Sequence, residues 1–517
     1  MSDSPPAGRR AFAALALLTA LATVYAMRNA DADLWGHLRY GRLFVESGDP
    51  HAADPFAYTS AGRTWSTHEY LAQMLLWLAY AAAGPAGLIL LKCLLGGAAV
   101  WCVYAAVRLG SDDARAWAPV FILVAHTLGR WFLFRPQLFT FLFFALFVLL
   151  LFRHLLGRRG HLWLLPPVLA LWVNMHGGFL AGLGAVGLAL LLGAAQSVRR
   201  DGLRLAPLWR AAWPPGAALA ACFAASLVNP LGWRLWPYLL TEITWEVNRR
   251  YIEEWQPAHF LAPDWSSLTL LALLVVLAAL GLLTRKRPDI AGLRPWQWAL
   301  SCLPLALLAC RSIRHVPVFA VWAAPVLALL AQSAFEACRD SAARRRLWVL
   351  AGAALALPGL MTIQFVLARP AFAIATDGPV LGVRQPYGAA AFLRANGVSG
   401  RVWCPLWWGS YLTWELYPAA LVSMDGRNVT LFSGEQVAAN LSFYIDEQPD
   451  LDAPLRGGAD FLLVPTDTPA LPRLRDDSRW AVLYEDGDAV LLVRADEAHA
   501  DWPRRRRRAG ELVVPAV

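Results

Sequence analysis

The sequence contains few charged residues for its length. Only 16% of its 517 residues are Asp, Glu, Lys or Arg, whereas 58% are hydrophobic and the mean hydropathy is +0.44. A soluble chain of this size would need more polar surface than this composition supplies. Repeated apolar runs of about 17–23 residues are long enough to cross a hydrocarbon core as helices. The composition therefore excludes a soluble globular protein and predicts a polytopic α-helical membrane protein.

Clustered cysteines and lysines are also lacking. The seven cysteines fall mostly within apolar runs, without a CxxC pair or a Cys/His cluster at zinc-site spacing, which argues against a disulfide framework and a zinc site. Lys92 and Lys286 are the only lysines, so the basic charge is almost all arginine. The net charge of +9 is divided into short clusters between apolar runs, a pattern that sets orientation in a bilayer. No nucleic-acid partner is expected.

The basic clusters predict the orientation of the chain. They lie at 108–115, 153–161, 198–204, 284–287 and 338–346, and the positive-inside rule places them in the cytoplasm. An even number of crossings must then separate neighbouring clusters, which gives about eleven spans. The spans are predicted at Arg10–Met27, Pro85–Val107, Trp117–Leu128, Leu138–Phe152, His161–Trp172, Phe179–Gln196, Ala211–Leu227, Ser266–Leu283, Trp296–Cys310, Val316–Phe335 and Leu347–Leu367. The stretch 70–84 must then lie at the interface or dip in and return.

Nearly all conspicuous polar motifs fall in loops opposite the basic clusters. They are DADLWGHLRYG and STHEY in a long first external loop at 28–84, RWFLFRPQ at 130–137, NMHGG at 174–178, VNPLGWRLW at 228–236 and RSIRH at 311–315. The transmembrane domain is predicted at 1–368, an extracytoplasmic α/β domain at 369–500 and a disordered basic tail at 501–517. Ionisable groups at membrane level are costly and usually functional. We therefore expect a one-sided site at the outer face of the cell inner membrane.

Two carboxylates, Asp31 and Asp33, follow the first apolar run. Alternate residues of an extended chain share a face, so the pair could serve as a general base and its support, or could bind a divalent cation. Asp33 directly precedes a predicted interfacial helix, and His37 would lie one turn later on the same face. We therefore expect Asp33 to be the catalytic carboxylate. The alternative is that one of the aspartates caps this helix.

Further polar residues of these loops are candidate substrate-binding groups. His68 and Glu69 stand at the entry to the next helix; alternatively, Thr67 caps that helix and Glu69 lies in its first turn. Asn174 and His176 end one span, and the two glycines that follow permit a close backbone approach or a tight turn. A lone histidine at a helix end is commonly satisfied there, but neighbouring polar groups would converge with this one.

Arg135, Arg311 and Arg314, with His315, lie at span ends on the predicted outer side, against the charge rule. An anionic headgroup would explain their position, because guanidinium groups bind phosphate through paired, charge-assisted hydrogen bonds. The alternative is ion pairing with the carboxylates of the first loop. Phosphate binding and internal ion pairing could each occur in a different state of the protein.

The C-terminal domain is predicted to alternate helices and strands. A helix at 387–396 closed by Gly397 is followed by strands at 400–405, 420–426 and 461–465, and by a hairpin at 480–494 that turns at Asp486 and Gly487. Between the first two strands lies LWWGSYLTWELYP, which contains Trp408 and Tyr411. Its aromatic side chains either pack in the core or face a sugar.

These features together resemble the GT-C superfamily of polyprenyl-phosphate-dependent glycosyltransferases. DADLWGHLRYG, RPQ, NMHGG, NPLGW and RHVP are similar to motifs of its bacterial members. The resemblance implies an inverting membrane enzyme that transfers a sugar from a polyprenyl-phosphate donor to an envelope glycan, lipid or protein, with Asp31 or Asp33 as general base or metal ligand. LWWGSYLTW is also similar to the WWDYG segment of oligosaccharyltransferases. Gly409 stands where that motif has Asp, so peptide recognition does not carry over.

A non-enzymatic component that translocates or assembles envelope lipids or polysaccharides is the alternative. Such a protein would favour polar residues at midspan along a pathway. The polar residues here cluster at one set of span ends, which favours an enzyme.

Overall fold

The computed structural model describes residues 20, 32–51, 53–65, 67–261, 264–337, 385–427 and 430–499. Asp31, the predicted spans Arg10–Met27 and Leu347–Leu367, and the basic tail lie outside the described residues. The chain divides into two compact units. The helical unit comprises the described residues of 85–236 and 248–337, and the mixed unit comprises those of 29–84, 237–247 and 385–499.

Helices make up most of the described residues before position 338. In chain order they are α1 (Leu34–Ser47), α2 (Tyr70–Gly110), α3 (Ala114–Trp131), α4 (Gln137–Leu155), α5 (Leu165–Trp172), α6 (Phe179–Asp201), α7 (Leu205–Ala225), α8 (Leu235–Thr244), α9 (Glu246–Tyr251), α10 (Trp265–Thr284), α11 (Pro295–Leu300), α12 (Leu303–Arg311) and α13 (Val316–Ala337). Short 3₁₀ turns lie at Tyr58–Ser60, Leu162–Leu164, Gly232–Arg234, Glu253–Trp255 and Ile313–His315.

Within the described residues, five helical segments are long and apolar enough to cross a membrane. They are Tyr70–Gly110, Gln137–Leu155, Phe179–Asp201, Trp265–Thr284 and Ile313–Glu336. Each contains one of the spans predicted from the sequence. The protein is therefore a helical integral membrane protein, as its composition predicts.

Some predicted spans have a different local structure. The predicted span His161–Trp172 consists of a 3₁₀ turn and the eight-residue helix α5. The predicted span Trp296–Cys310 is divided into α11 and α12, with a turn at Ser301 and Cys302 between them. Pro304 lies at the start of α12, where its missing amide hydrogen costs nothing but prevents the preceding helix from continuing. Apolar runs alone did not indicate these breaks.

The stretch 70–84 is helical and forms the first part of α2. The helical dihedral angles are interrupted at Ala83 (φ −149°, ψ 22°) and Gly84 (φ 56°, ψ −141°). Pro85 follows directly, and proline disfavours helical geometry in the residue before it. Glycine adopts the positive φ without the steric cost that a side chain would impose. The two parts of α2 are thus separated by a kink rather than by a loop.

The mixed unit contains a five-stranded sheet with strand order β2-β1-β3-β5-β4. The strands are β1 (Gly400–Trp403), β2 (Ala420–Val422), β3 (Phe461–Pro465), β4 (Trp480–Glu485) and β5 (Ala489–Arg494), and the helices are α14 (Tyr387–Ala395), α15 (Leu406–Leu416), α16 (Gly434–Ile445), α17 (Ala453–Arg456) and α18 (Leu471–Asp476). Strand β1 is parallel to β2 and β3, whereas β5 is antiparallel to β3 and β4. The predicted hairpin turn lies between β4 and β5.

The first loop packs on this sheet. Val422 of β2 donates its amide hydrogen to the carbonyl of Phe56 (3.2 Å), and Ala57 forms a parallel bridge with Val422. The Thr59 hydroxyl donates to the carbonyl of Ser423 (2.5 Å). These hydrogen bonds fix the first loop against the edge strand β2 of the C-terminal domain.

Candidate active site

Asp33 occupies the N-cap position of α1, but its side chain does not cap the helix. The helix begins at Leu34, and the backbone carbonyl of Asp33 accepts the first helical hydrogen bond, from the His37 amide (2.9 Å). The half-buried carboxylate makes no hydrogen bond to the amides of the first turn. Helix capping therefore explains the backbone position of Asp33, but it does not explain why a carboxylate is present there.

The carboxylate of Asp33 lies against the loop that follows β2. A Cβ atom at Gly426 would overlap the Asp33 carboxylate, so only glycine leaves room for it there. The amide of Gly426 donates to the hydroxyl of Ser410 on α15 (3.2 Å). Ser410 also faces Gly36 on α1, where an added Cβ atom would lie 2.8 Å from the Ser410 Oγ. Small residues on both helices thus allow α1 and α15 to approach closely, and this packing positions Asp33.

A buried network of charged side chains fixes the loop after β2. The Arg427 guanidinium pairs with Asp425 (2.7 Å) and with Asp54 of the first loop (2.6 Å), and all three side chains are almost fully buried. Burial by itself would lower the pKa of Arg427, but Asp425 and Asp54 raise it above its ordinary value. Aromatic rings, including that of Tyr40, surround the guanidinium (4.8 Å to the ring centroid). The network joins chain segments 373 residues apart.

His37 lies one turn after Asp33 on α1, as predicted. Its Nδ1 accepts a hydrogen bond from the Gln73 side-chain amide near the start of α2 (3.2 Å). An amide nitrogen can only donate, so the ring hydrogen of a neutral His37 is on Nε2. Gln73 thereby orients the His37 ring from a different segment of the first loop.

His68 is buried before α2, and its ring lies beside that of Tyr238 (5.7 Å between centroids). Burial lowers the pKa of His68 to about 4, so the ring is neutral at physiological pH. Its 4.0 Å approach to Glu69 is therefore not an ion pair. Thr67 accepts a hydrogen bond from the Glu69 amide (3.1 Å), and α2 begins one residue later. A neutral His68 can bind hydroxyl groups but cannot attract a phosphate by charge.

The helical unit holds a second cluster, composed of Arg135, Arg314 and Glu254. The Glu254 carboxylate lies 3.2 Å from Arg135 and 3.9 Å from Arg314, and about a fifth of each side chain is exposed. Burial would raise the pKa of Glu254, but Arg314 and Arg135 together lower it below its ordinary value. Two guanidinium groups and one carboxylate leave one net positive charge, which suits an anionic ligand. The sequence alone suggests only Asp31, Asp33 and Glu69 as ion-pair partners of these arginines.

The other members of the predicted phosphate-binding group are placed differently. Arg314 also stacks over the ring of Trp255 (4.0 Å). His315 contacts the carbonyl of Ser312 (3.3 Å) and lies near Glu254. Arg311 is exposed at the end of α12, and no ion pair joins it to another described residue. The structure therefore brings Arg135, Arg314 and His315 together but leaves Arg311 outside the cluster.

Asn174 and His176 make local hydrogen bonds in the helical unit. The Asn174 amide donates to the carbonyls of Ala170 (2.8 Å) and Val228 (2.7 Å), which ties the NMHGG motif to the segment VNPLGWRLW. His176 Nδ1 accepts from the Gly178 amide (3.0 Å) and contacts the Thr140 hydroxyl (2.8 Å). These contacts indicate that both side chains position the span ends.

The aromatic segment after β1 forms α15. Trp408 and Tyr411 are buried, and Tyr411 packs against Trp35 of α1 (6.1 Å between centroids). A Cβ atom at Gly409 would overlap the carbonyl of Met424, so an aspartate cannot occupy this position without moving the loop after β2. This contact is a physical reason for the departure from the WWDYG motif.

No group of three or more His, Cys, Asp or Glu side chains with metal-site geometry occurs among the described residues. Asp31, which the sequence pairs with Asp33, is outside them. Several residues that shape the two groups gave no local sequence signal: Asp54, Ser410, Gly426 and Arg427 in the mixed unit, and Glu254 in the helical unit. Their motifs, such as DG and EEW, are too common to be read as functional.

No protein-family model matches the sequence, and no curated protein matches it. Solved structures do match. A mutant of the arabinofuranosyltransferase AftD from Mycobacteria superposes with a TM-score of 0.51 and 14% identity over 95% of this chain and 42% of the AftD chain. A second class of the same mutant has a TM-score of 0.49, with 15% identity over 94% of this chain and 41% of that chain. ArnT from Cupriavidus metallidurans, bound to undecaprenyl phosphate, also has a TM-score of 0.49, with 14% identity, 96% coverage of this chain and 99% of that chain.

At this level of identity, the likeness to AftD concerns the fold and not the chemistry. This chain spans about two fifths of the AftD chain. The likeness nevertheless agrees with the membrane fold that the sequence motifs indicated. This chain therefore shares the fold of the aligned part of AftD.

Proposed function

We propose that the protein transfers a sugar from a polyprenyl-phosphate donor to an envelope acceptor at the extracytoplasmic face of the inner membrane. The observation that carries the proposal is the Asp33 carboxylate, which does not cap its helix and is held against Gly426. The GT-C-like fold and the basic cluster at Glu254 support it. The direct test is release of prenyl phosphate from a labelled prenyl-phosphate sugar when the reconstituted protein is mixed with envelope acceptor extracts.

In this mechanism Asp33 is the general base. It accepts the proton of an acceptor hydroxyl while the oxygen attacks the anomeric carbon of the donor, and the bond from that carbon to the phosphate oxygen breaks. The configuration at the anomeric carbon is inverted by this single displacement. Arg135 and Arg314 stabilise the negative charge that develops on the leaving phosphate. His37 and Glu69 bind sugar hydroxyls, His68 supplies a neutral hydrogen-bonding ring, and Asp31 supports Asp33.

Lipid or polysaccharide translocation is the second candidate function. Lys92 supports it, because this buried residue lies within a candidate span, with its ammonium 5.1 Å from the ring centroid of Phe134. Charged groups inside spans mark transport pathways as well as binding sites. Movement of a labelled prenyl phosphate across vesicles without any sugar transfer would favour translocation over glycosyl transfer.

We expect Arg314→Ala to weaken the binding of prenyl phosphate by roughly 10- to 100-fold, because a charge-assisted hydrogen bond contributes about 1.5–3 kcal/mol. Binding of a fluorescent short-chain prenyl phosphate to the protein in nanodiscs measures this. Arg199→Ala is the matched control, since Arg199 forms an ion pair of its own with Asp289 (2.7 Å). Equal losses in the two variants would assign Arg314 a role in folding only.

The proposed topology predicts the side of the membrane on which each fusion is active. A reporter enzyme that works only outside the cytoplasm should be active when fused after Arg494, at the end of β5. The same reporter should be inactive when fused after Arg200 in a predicted cytoplasmic cluster. The reverse pattern would place the mixed unit in the cytoplasm and exclude an extracytoplasmic reaction.

Gly426→Ala should reduce sugar transfer by on the order of 100-fold, because the added methyl group displaces the Asp33 carboxylate from its position. Prenyl-phosphate binding should remain unchanged. Gly187→Ala is the control, since open space surrounds Gly187. Wild-type turnover in Gly426→Ala would mean that the position of Asp33 beside this loop has no catalytic importance.

A further inference from the structure

Glu254 of the helical unit is held in place by its backbone. Its carbonyl accepts a hydrogen bond from the Ser312 hydroxyl (3.0 Å). Two residues later, the carbonyl of Gln256 accepts a hydrogen bond from the amide of Ile313 (3.1 Å). These bonds join the segment that contains Glu254 to the turn before α13. The place of the Glu254 side chain is therefore fixed by the fold as well as by its ion pairs.

The carboxylate of Glu254 is shared between two arginines. Its Oε2 lies 3.2 Å from Nη1 of Arg135, and its Oε1 lies 3.9 Å from Nη1 of Arg314. Burial would raise the pKa of Glu254, but Arg314 and Arg135 lower it below its ordinary value, so the carboxylate is ionised at neutral pH. His315 is the other titratable group near it. A phosphate bound by these guanidinium groups would lie close to a fixed negative charge.

The proposed reaction changes the charge of the phosphate that these arginines bind. A prenyl-phosphate sugar is a phosphodiester and carries one negative charge. When the bond from the anomeric carbon to the phosphate oxygen breaks, that oxygen stays on the phosphate, and the prenyl phosphate that leaves is a monoester. A phosphate monoester carries nearly two negative charges above its second pKa of about 6. Guanidinium groups therefore attract the product more strongly than the donor.

A fixed carboxylate opposes this preference for the product. Coulomb repulsion is proportional to the charge of the ligand, so Glu254 repels the monoester about twice as strongly as the diester. The difference arises from the charge of Glu254 itself and holds whatever other groups lie near the arginines. The same arginines without Glu254 would retain the product and slow its release.

We propose that Glu254 is a specificity-determining residue of the phosphate site: it favours a prenyl phosphodiester over a prenyl phosphomonoester and so promotes release of the product. The inference rests on the proposed transferase function, since that reaction converts the one ester into the other. The alternative is that Glu254 only orients Arg135 and Arg314. A carboxylate that only orients them would change the affinity for both esters alike, whereas a discriminating one changes the ratio of the two affinities.

The test compares two ligands that differ in charge and carry no sugar. They are a fluorescent short-chain prenyl phosphate and its methyl ester, which is a phosphodiester, and each is titrated into the full-length protein in nanodiscs. At about pH 8 the monoester carries nearly two charges, and a histidine with the ordinary pKa of about 6.5 is neutral. Glu254→Gln should raise the ratio of monoester to diester affinity roughly tenfold. Glu254→Asp keeps the charge and should keep the wild-type ratio.

Glu253→Gln is the matched control, because Glu253 directly precedes Glu254 and is exposed. It should leave the ratio unchanged. In the sugar-transfer assay, added prenyl phosphate should inhibit Glu254→Gln more strongly than the wild type, since the variant retains the product. A carboxylate that only orients the arginines would not produce this difference in inhibition.

The outcomes separate this inference from the proposed function. An unchanged ratio in Glu254→Gln, equal loss of both esters in that variant, or the same shift in Glu253→Gln would overturn the role of Glu254 and leave sugar transfer standing. A shifted ratio in a protein that transfers no sugar would remove the transferase function alone. A wild-type protein that binds neither ester would remove both.

Discussion

Asp33→Asn should abolish sugar transfer from a prenyl-phosphate donor, with a loss of roughly 100- to 10,000-fold. The amide keeps the size of the carboxylate, so it fits beside Gly426, but it cannot accept a proton. Because the wild-type side chain does not cap α1, the substitution removes no helix-capping hydrogen bond. Turnover of a labelled prenyl-phosphate sugar by the reconstituted variant measures the effect, with prenyl-phosphate binding and the unfolding temperature as controls.

Asp49→Asn is the matched control for this prediction. Asp49 lies just after α1 in the same loop, is exposed, and accepts a hydrogen bond from the His51 amide (2.8 Å). It should keep full activity. Full activity in a folded Asp33→Asn protein would reject Asp33 as the base, and Asp31→Asn would then be the remaining test of a first-loop carboxylate.

Arg427→Met should destabilise the mixed unit by about 3–5 kcal/mol, because it leaves the buried carboxylates of Asp54 and Asp425 without their counter-charge. For a unit of this size the unfolding midpoint should fall by roughly 10 °C. Tryptophan fluorescence during heating of the protein in nanodiscs measures the midpoint. Arg456→Met, which removes an exposed ion pair with Asp450, should leave it unchanged within error.

Charge and packing contribute to the Arg427 effect in different ways, and a combined variant separates them. Replacing Asp54 and Asp425 with Asn in the Arg427→Met background removes all three charges. Since the main cost is an uncompensated buried charge, this variant should regain much of the lost stability. An equal loss in the combined variant would assign the effect to the aromatic packing around Arg427 instead.

The two largest predicted effects are connected through the loop after β2. Arg427 fixes the loop after β2 through ion pairs with Asp425 and Asp54, and Gly426 beside it provides space for the Asp33 carboxylate. A rigid backbone at Gly426 limits the positions that Asp33 can take. We therefore expect Arg427→Met protein that remains folded at low temperature to lose sugar transfer as well, since a base held loosely is a poor catalyst.

The sequence by itself determined the elements whose patterns are local. Long apolar runs indicated the helices that can cross a membrane, and the alternation of apolar runs with turn residues indicated β3 and the β4–β5 hairpin. The same reasoning predicted a helix after Asp33, which is observed as α1. These predictions succeed because hydrophobic burial acts on neighbouring residues with a fixed period.

Only the tertiary structure decided which distant residues meet. Asp54 and Arg427 are 373 positions apart, and Arg135 and Glu254 are 119 apart, so no local period connects them. The same holds for Gly426 and Asp33, whose contact depends on how closely α1 and α15 pack. Ion pairing and close packing are decided by the position of whole elements in space, and a glycine or an arginine in a loop looks the same in the sequence whether or not it meets a partner.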